Sequence, residues 1–487
     1  MDFAFQNSFY NSMEGFYAPA EAAKPSSPNL LIFNHALAVN LGVDASSAGD
    51  EELARSLSGD SLPEGASPLA FAYAGHQFGH FSPQLGDGRA LLLGEIVAPG
   101  GARFDIQLKG SGPTAFSRNG DGKAAMGPVL REFLVSEAMA AMGVPTTRAL
   151  AAVATGDRVQ RERVHPGAVL TRVASSHIRV GTFQFFAAHF GADHVAQLSA
   201  YSIRRHFPDL VDAANPSLAL LDRVIGLQCE LVAHWLGIGF IHGVMNTDNV
   251  AISGETIDYG PCAFMDRFAV NTVFSSIDAH GRYAYGHQPQ IMHWNMARFA
   301  EALLPAIHRV SPEDVEAAKA IVDAIPGRFR ASWHAKVRQK LGLSGDGADD
   351  SELIDGLFDE LETHSVDFTA FFRALAMLLR GDGAMLESLL PSADAMAPWI
   401  AAWWDRIALD SSGPIVLAAA MDAVNPLYIP RNHLVEETLE AAEAGDLAPW
   451  LQLLGVVRHP YEVRPGLERF TLPAPADAGP YKTFCGT

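Results

Sequence analysis

The spacing of apolar and polar positions changes character twice along the chain. Residues 1–65 mix apolar and turn-forming residues without a sustained period and predict a single helix near 31–41. From 88 to 110 the pattern is that of strands: RALLLGEIV (89–97) and ARFDIQLKG (102–110) flank APGG, whose Pro-Gly-Gly is a turn signal, and together predict a β-hairpin. GPVLREFLVSEAMAAMG (127–143) predicts a helix, with Pro128 in its first turn, Gly143 at its end and Pro145 just beyond. RALAAVATG (148–156) and GAVLTRVASS (167–176) predict a second strand pair. Thereafter the chain reads as mostly helical. Residues 215–237 are the longest case, with Asn215 and Ser217 offering N-cap oxygens, and 290–305, 313–323, 352–381, 394–406 and 432–444 follow. LSGDGADDSE (343–352) reads as an exposed acidic loop, the Pro- and Gly-rich tail from 465 to 487 as irregular, and Asp258 as the end of a strand. A strand-rich part followed by a larger helical part is an α+β, two-lobed layout.

Composition narrows the class. A chain of 487 residues corresponds to about three domains, or two large ones. It is 48% hydrophobic and only 18% charged, against roughly 25% charged in ordinary soluble domains, which argues against long disordered tracts. The formal charge of −20 disfavours nucleic acid or an anionic membrane as partner, so a phosphate ligand requires a local cluster of cations held against the global sign. The N-terminal stretch has no export or transit pattern, no apolar run reaches the roughly 18 residues that span a bilayer, and the three cysteines are too few for a disulfide scaffold. A cytoplasmic protein is expected.

Against that acidic background, five elements of a phosphate-handling site occur in order. GDGRALLLGE (86–95) places glycines on both sides of Asp87 ahead of a strand, where backbone N–H groups can approach a phosphate. Lys109 ends the strand FDIQLK, and Glu132, on an otherwise apolar helix face, is its candidate partner. SRNGDGKAAMG (117–127) is a second Gly-rich turn directly before that helix, and Arg172 and Arg179 add two permanent cations. HGVMNTDNVAISGETIDYG (242–260) supplies Asn249 and Asp258, hard oxygen donors suited to Mg²⁺ or Mn²⁺. Each part alone also fits an ordinary turn, helix carboxylate or surface ion pair. Their order, with His242 seven residues before Asn249 and Asp258 in Asp-Tyr-Gly, resembles the series of parts in a protein kinase. Val244, however, stands where a kinase carries its catalytic Asp, and Asp248 lies beside the metal-binding Asn instead. HQFGH (76–80) has the spacing of a zinc-protease motif, but Gln77 replaces the general base and no third ligand is evident.

Longer blocks carry a more specific resemblance. FAYAGHQFGHF (71–81), QLGDGRA (84–90), DIQLKGSGPTAFSRNGDGKAA (105–125), HGVMNTDN (242–249), GRYAYGHQP (281–289) and NPLYIPRNHLVE (425–436) closely resemble the selenoprotein O family of kinase-fold protein adenylyltransferases. The resemblance implies a protein-kinase-like bilobal fold: an N-terminal extension (1–65), a strand-rich N-lobe (66–180), a helical C-lobe (181–340) and an additional C-terminal helical region with tail (341–487). It implies that ATP lies reversed relative to a kinase, and that AMP passes to Ser, Thr or Tyr hydroxyls of proteins, this chain included among the acceptors. By the same resemblance Gly86, Gly88 and Arg89 belong to the nucleotide loop. Lys109 holds phosphates and pairs with Glu132; Asp121, Gly122, Arg172 and Arg179 line the triphosphate pocket. Asn249 and Asp258 hold the metal, and Asp248 accepts the proton or orients the site. A kinase transferring the γ-phosphate and a nucleotide-binding scaffold are the competing readings.

The cysteines raise a question of control. Cys262 lies four residues after Asp258 and Cys485 three from the C-terminus, so they are either a redox pair or two unrelated thiols. Some relatives carry selenocysteine near this end; here it is Cys. Cys229, on the long helix, reads as core.

Overall fold

The computed structural model describes residues 2–484 apart from 346, 348, 393, 476 and 480. Twelve strands are present: β1 (Tyr17–Pro19), β2 (Asn29–Phe33), β3 (Leu69–Phe71), β4 (Gly75–Gln77), β5 (His80–Ser82), β6 (Ala90–Val97), β7 (Arg103–Lys109), β8 (Ala124–Ala125), β9 (Arg148–Gln160), β10 (Val164–Ala174), β11 (Phe240–Ile241) and β12 (Ala263–Phe264). Eight of them form one antiparallel sheet in the order β1-β3-β6-β7-β10-β9-β2, with β8 pairing β10. From Gln288 onward the described chain is almost entirely helical.

Strand alternation explains how the sheet serves two masters. On β7, Ile106 and Leu108 point to a core shared with Leu53 and Leu57 of the helix Asp50–Ser58. Asp105, Gln107 and Lys109 take the other face, because successive side chains on a strand point to opposite sides. On that side the helix Met126–Ala141 packs against β9 and β10, with Phe133, Leu134 and Ala138 in a core with Ala152 and Leu170. The same helix is braced from behind by helices Asn432–Glu443 and Ala448–Val457. Among the described residues no helix is long and apolar enough to cross a membrane.

The two predicted hairpins and the helices at 127–143 and 215–237 form close to their expected bounds. Other expectations need correction. The helix near 31–41 is instead strand β2 followed by a helix at His35–Leu41. Asn34 caps that helix by accepting from Leu37 N at 3.2 Å, and β2 is held by pairing to β9, a partner more than a hundred residues away. The stretch 352–381 divides into Asp350–Thr363 and Phe368–Leu379, since Ser365 adopts a left-handed φ of 50° and Asp367 caps the second helix. Asp350, expected in an exposed loop, is buried and bound by Arg406 Nε at 2.7 Å. Within residues 1–65, β1 and β2 lie at the two ends of the main sheet.

Candidate functional site

A cavity of about 400 Å³ lies between the sheet, the Met126–Ala141 helix and the segments around 244–249 and 258–261. Its floor is a cluster of charges. Lys109 Nζ bonds Glu132 Oε2 at 2.6 Å and Asp258 Oδ1 at 2.7 Å. Arg172 Nη1 reaches the same Asp258 oxygen at 2.8 Å and Glu132 Oε1 at 3.3 Å. Arg179 Nη1 donates to Asp258 Oδ2 at 2.9 Å and to the Asp248 carbonyl at 2.8 Å. Three cations from three elements thus meet on one carboxylate. Burial pushes the Asp258 pKa up, but Lys109, Arg172 and Arg179 together hold it well below the usual range. Burial also works against charge on Arg172, and Asp258 with Glu132 more than offsets it.

Asp258 does not end a strand as expected. It sits in loop backbone with a left-handed φ of 65°, a conformation uncommon outside glycine that costs energy unless the surroundings fix it. His242 steadies this segment: its buried ring Nε2 donates to the Ile257 carbonyl at 2.9 Å. Asn249 Nδ2 donates to the Val244 carbonyl at 2.9 Å, which leaves the Asn249 amide oxygen as the atom available to a cation. Val244, in the position of the kinase base, lines the cavity with a methyl surface.

Asp248 also lines the cavity and is buried, and its Oδ1 has no hydrogen-bond partner among the described residues. Burial raises its pKa to about 6, against the pull of Arg179 and of a hydrogen bond from Gln77. A carboxyl poised near neutrality in the lining of a cavity has the chemistry of a proton acceptor.

The glycine loop works differently from its sequence reading. Gly88 and Arg89 line the cavity and Gly86 does not. The space a Cβ would take at Gly86 is filled by the Phe116 ring, 2.3 Å from the ideal Cβ position, and at Gly88 by the Phe116 carbonyl at 2.9 Å. These glycines therefore admit a neighbouring loop. Asp121 and Gly122 do not line the cavity either. Asp121 is drawn outward to Arg161, with Nη1 and Nη2 at 2.9 and 3.0 Å from its two oxygens, and Gly122 packs on Gly112. Arg118 of the same loop faces the cavity in their place.

Cys262 is fully buried, donates its thiol to the Tyr259 carbonyl at 3.3 Å, and burial raises its pKa to about 11. Cys485 lies outside the described residues. Cys229 is buried in the core as expected. HQFGH forms a small hairpin of β4 and β5 rather than a helix, with His76 Nδ1 paired to Gln184 Nε2 at 2.9 Å.

Sequence reasoning missed several contributors: Asp87 and Gln107 behind the arginines, Tyr73 stacked on Arg179 at 4.6 Å, and Gly75 and Gln77 around Asp248. The polar–apolar alternation of DIQLK marks Gln107 as sharing Lys109's face, a signal that was legible.

The comparisons with known proteins give the family. The family model for protein adenylyltransferase SelO matches residues 1–458, and the chain belongs to that family of protein adenylyltransferases (AMPylases). Among individual relatives it is 81% identical, over the full length of both chains, to protein nucleotidyltransferase YdiU of Sphingopyxis alaskensis. It is 53% identical to the protein of the same description from Cereibacter sphaeroides, again over the whole of both chains. To that of Chromobacterium violaceum it is 54% identical, over 97% of this chain and 99% of the relative.

Proposed function

We propose that the cavity takes ATP reversed relative to a protein kinase, with the triphosphate directed into the Lys109–Arg172–Arg179 cluster, on a kinase-like bilobal fold. AMP then passes to a Ser, Thr or Tyr hydroxyl of a protein. The single observation behind this reading is the convergence of those three cations on Asp258 at the cavity floor. Three positive charges there give β- and γ-phosphates an interior home, which leaves the α-phosphorus as the reactive centre nearest the protein surface.

In this scheme the acceptor oxygen forms a bond to the α-phosphorus, and the bond from that phosphorus to the bridging oxygen breaks. Pyrophosphate leaves with the electron pair, and the hydroxyl proton goes to the Asp248 carboxylate. Lys109, Arg172 and Arg179 hold the leaving pyrophosphate, and Glu132 keeps Lys109 and Arg172 aimed inward. In the resting site the cations are parked on Asp258; arrival of phosphate oxygens gives them new partners and frees that carboxylate.

The donor set fits a divalent ion, Mg²⁺ or Mn²⁺. The Asn249 amide oxygen and the Asp258 carboxylate are hard oxygens on one cavity wall, and such ions take one or two protein ligands and fill the rest from phosphate and water. When bound, the ion would neutralise phosphate charge as a Lewis acid.

Mass spectrometry of the full chain and a generic protein acceptor, incubated with ATP and Mg²⁺ beside an Asp258→Ala control, tests the reading. An added AMP, absent in the control, is the expected result. An added phosphate would mean the nucleotide lies as in a kinase, and no adduct at all would favour a nucleotide-binding scaffold.

A further inference from the structure

Behind the two arginines lies a polar pair that none of the roles above uses. Gln107 on β7 is the cross-strand neighbour of Arg172 on β10, and it is fully buried. Its Oε1 accepts from Arg172 Nε at 3.1 Å and from Nη2 at 2.5 Å. Its Nε2 donates to Asp87 Oδ2 at 3.0 Å. Asp87, itself buried, also accepts from Phe71 N at 3.3 Å and lies 3.7 Å from Arg179 Nη2 through its other oxygen. Both ends of the Gln107 amide are therefore committed: the carbonyl must face the guanidinium and the amino group the carboxylate. A buried amide and a buried carboxylate cost free energy unless bonded, and apolar residues would fill this sheet face more cheaply if packing were the only requirement.

We propose that Gln107, backed by Asp87, is a positioning residue that holds the Nε–Nη2 edge of Arg172 away from the cavity, so that Nη1 alone faces Asp258, Glu132 and the nucleotide. A guanidinium left to itself pairs with a carboxylate through two parallel hydrogen bonds. Released from Gln107, Arg172 can turn an edge onto Asp258 and close such a fork, which competes with phosphate and withholds the carboxylate. Held by Gln107, it makes one exchangeable contact through Nη1 at 2.8 Å. Asp87 contacts Arg179 directly and Arg172 through the amide, so one buried carboxylate sets both arginines.

The inference rests on Arg172 being a phosphate ligand, and a double-mutant cycle separates the two claims. ATP–Mg²⁺ binding to the full chain is measured by calorimetry for wild type, Gln107→Leu, Arg172→Ala and the double variant, with thermal melting alongside. Gln107→Leu should weaken binding roughly tenfold in the wild-type background and by less than about twofold in the Arg172→Ala background. Equal losses in both backgrounds, or no loss in either, overturn the positioning role. Unchanged binding in Arg172→Ala overturns the phosphate reading, and this inference with it. Gln107→Met, which keeps the length of the side chain without its amide, carries the test in the same two backgrounds if the leucine variant does not fold. A roughly tenfold loss seen only where Arg172 is present supports the proposal, and an equal loss in both backgrounds, or none in either, sinks it.

Discussion

Gly75 lacks a side chain where Asp248 needs room: an ideal Cβ on Gly75 would stand 2.2 Å from Asp248 Oδ1. The carboxylate proposed to take the proton is thus seated with one oxygen against the backbone of β4, and Gln77 of the same hairpin bonds the carboxyl. The hairpin is tied to the loop that carries Asp248 by His76 N donating to Thr247 Oγ1 at 2.7 Å and Phe78 N to Asn246 Oδ1 at 3.1 Å.

Gly75→Ala should therefore displace a side-chain end and leave the fold intact. Turnover is expected to fall on the order of 10²-fold, as for a catalytic group moved by about 1 Å, with ATP affinity nearly unchanged. Steady-state kinetics beside nucleotide titration checks this; a loss of affinity equal to the loss of turnover would place Asp248 in binding instead.

Asp258 neutralises three cations that have been brought together from β7, β10 and the start of the helix Val180–His189. Removing one member of such a buried network leaves the others uncompensated, at a cost of about 3 kcal/mol or more. Asp258→Ala should lower Tm, and pyrophosphate should restore more of it in the variant than it adds to wild type. A variant that melts like wild type in the absence of anion would show that the cluster is not under electrostatic strain.

Glu255 gives the expected pH dependence of stability. It accepts from Ser175 N, Ser175 Oγ and Ser253 Oγ, yet burial raises its pKa to about 7 from the model-compound 4.5. A raised acid binds more protons folded than unfolded, so its contribution is fully present below the unfolded value and is lost as pH rises through the folded one. Between pH 4.5 and 7 this group should remove on the order of 2–3 kcal/mol from stability. Urea titrations at pH 5 and 8 should show that slope in wild type and a smaller one in Glu255→Gln. An identical slope in both would assign it elsewhere.

The tail lies against the segment that carries Cys262. Thr483 N donates to the Phe274 carbonyl at 2.8 Å, Thr483 Oγ1 to the Pro261 carbonyl at 2.7 Å, and Arg131 joins the Tyr481 hydroxyl to the Cys262 carbonyl. With the thiol buried and its pKa raised, native Cys262 should alkylate at least about tenfold more slowly than a free thiol at pH 8. A chain ending at residue 478 should alkylate faster at the same position, as read by peptide mass spectrometry. Equal rates in both chains would mean that the tail does not guard it.

Much of the site was readable from the chain itself. Lys109 at the end of FDIQLK and Glu132 on an apolar helix face follow from period-2 and period-3.6 spacing, and they meet at 2.6 Å. What the Asp121–Gly122 turn packs against was not legible, because a glycine signals a special backbone but not what fills the space beside it, and an exposed aspartate goes to whichever cation the fold brings near. Here that cation is Arg161, forty residues away. Of the missed helices, Val180–His189 is buried on most sides and Ala448–Val457 carries Leu451 and Gly455 on its exposed face, so both show little amphipathic contrast to reveal them.

The sequence by itself determined the order of strands and helices, the α+β class, the identity of the charged groups and, through its long motif blocks, membership of the adenylyltransferase family. These are properties of local spacing and residue type, which do not depend on where distant segments lie. Only the tertiary structure decided that Arg172 and Lys109 converge on Asp258 across 86 and 149 residues of chain, that Asp248 is buried with one oxygen lacking a hydrogen-bond partner among the described residues, and that Gln107 and Asp87 stand behind the arginines. Charge interactions and desolvation are set by separations of a few ångströms and by exclusion of water, and both come into being when the sheet, the helix and the loops close around the cavity.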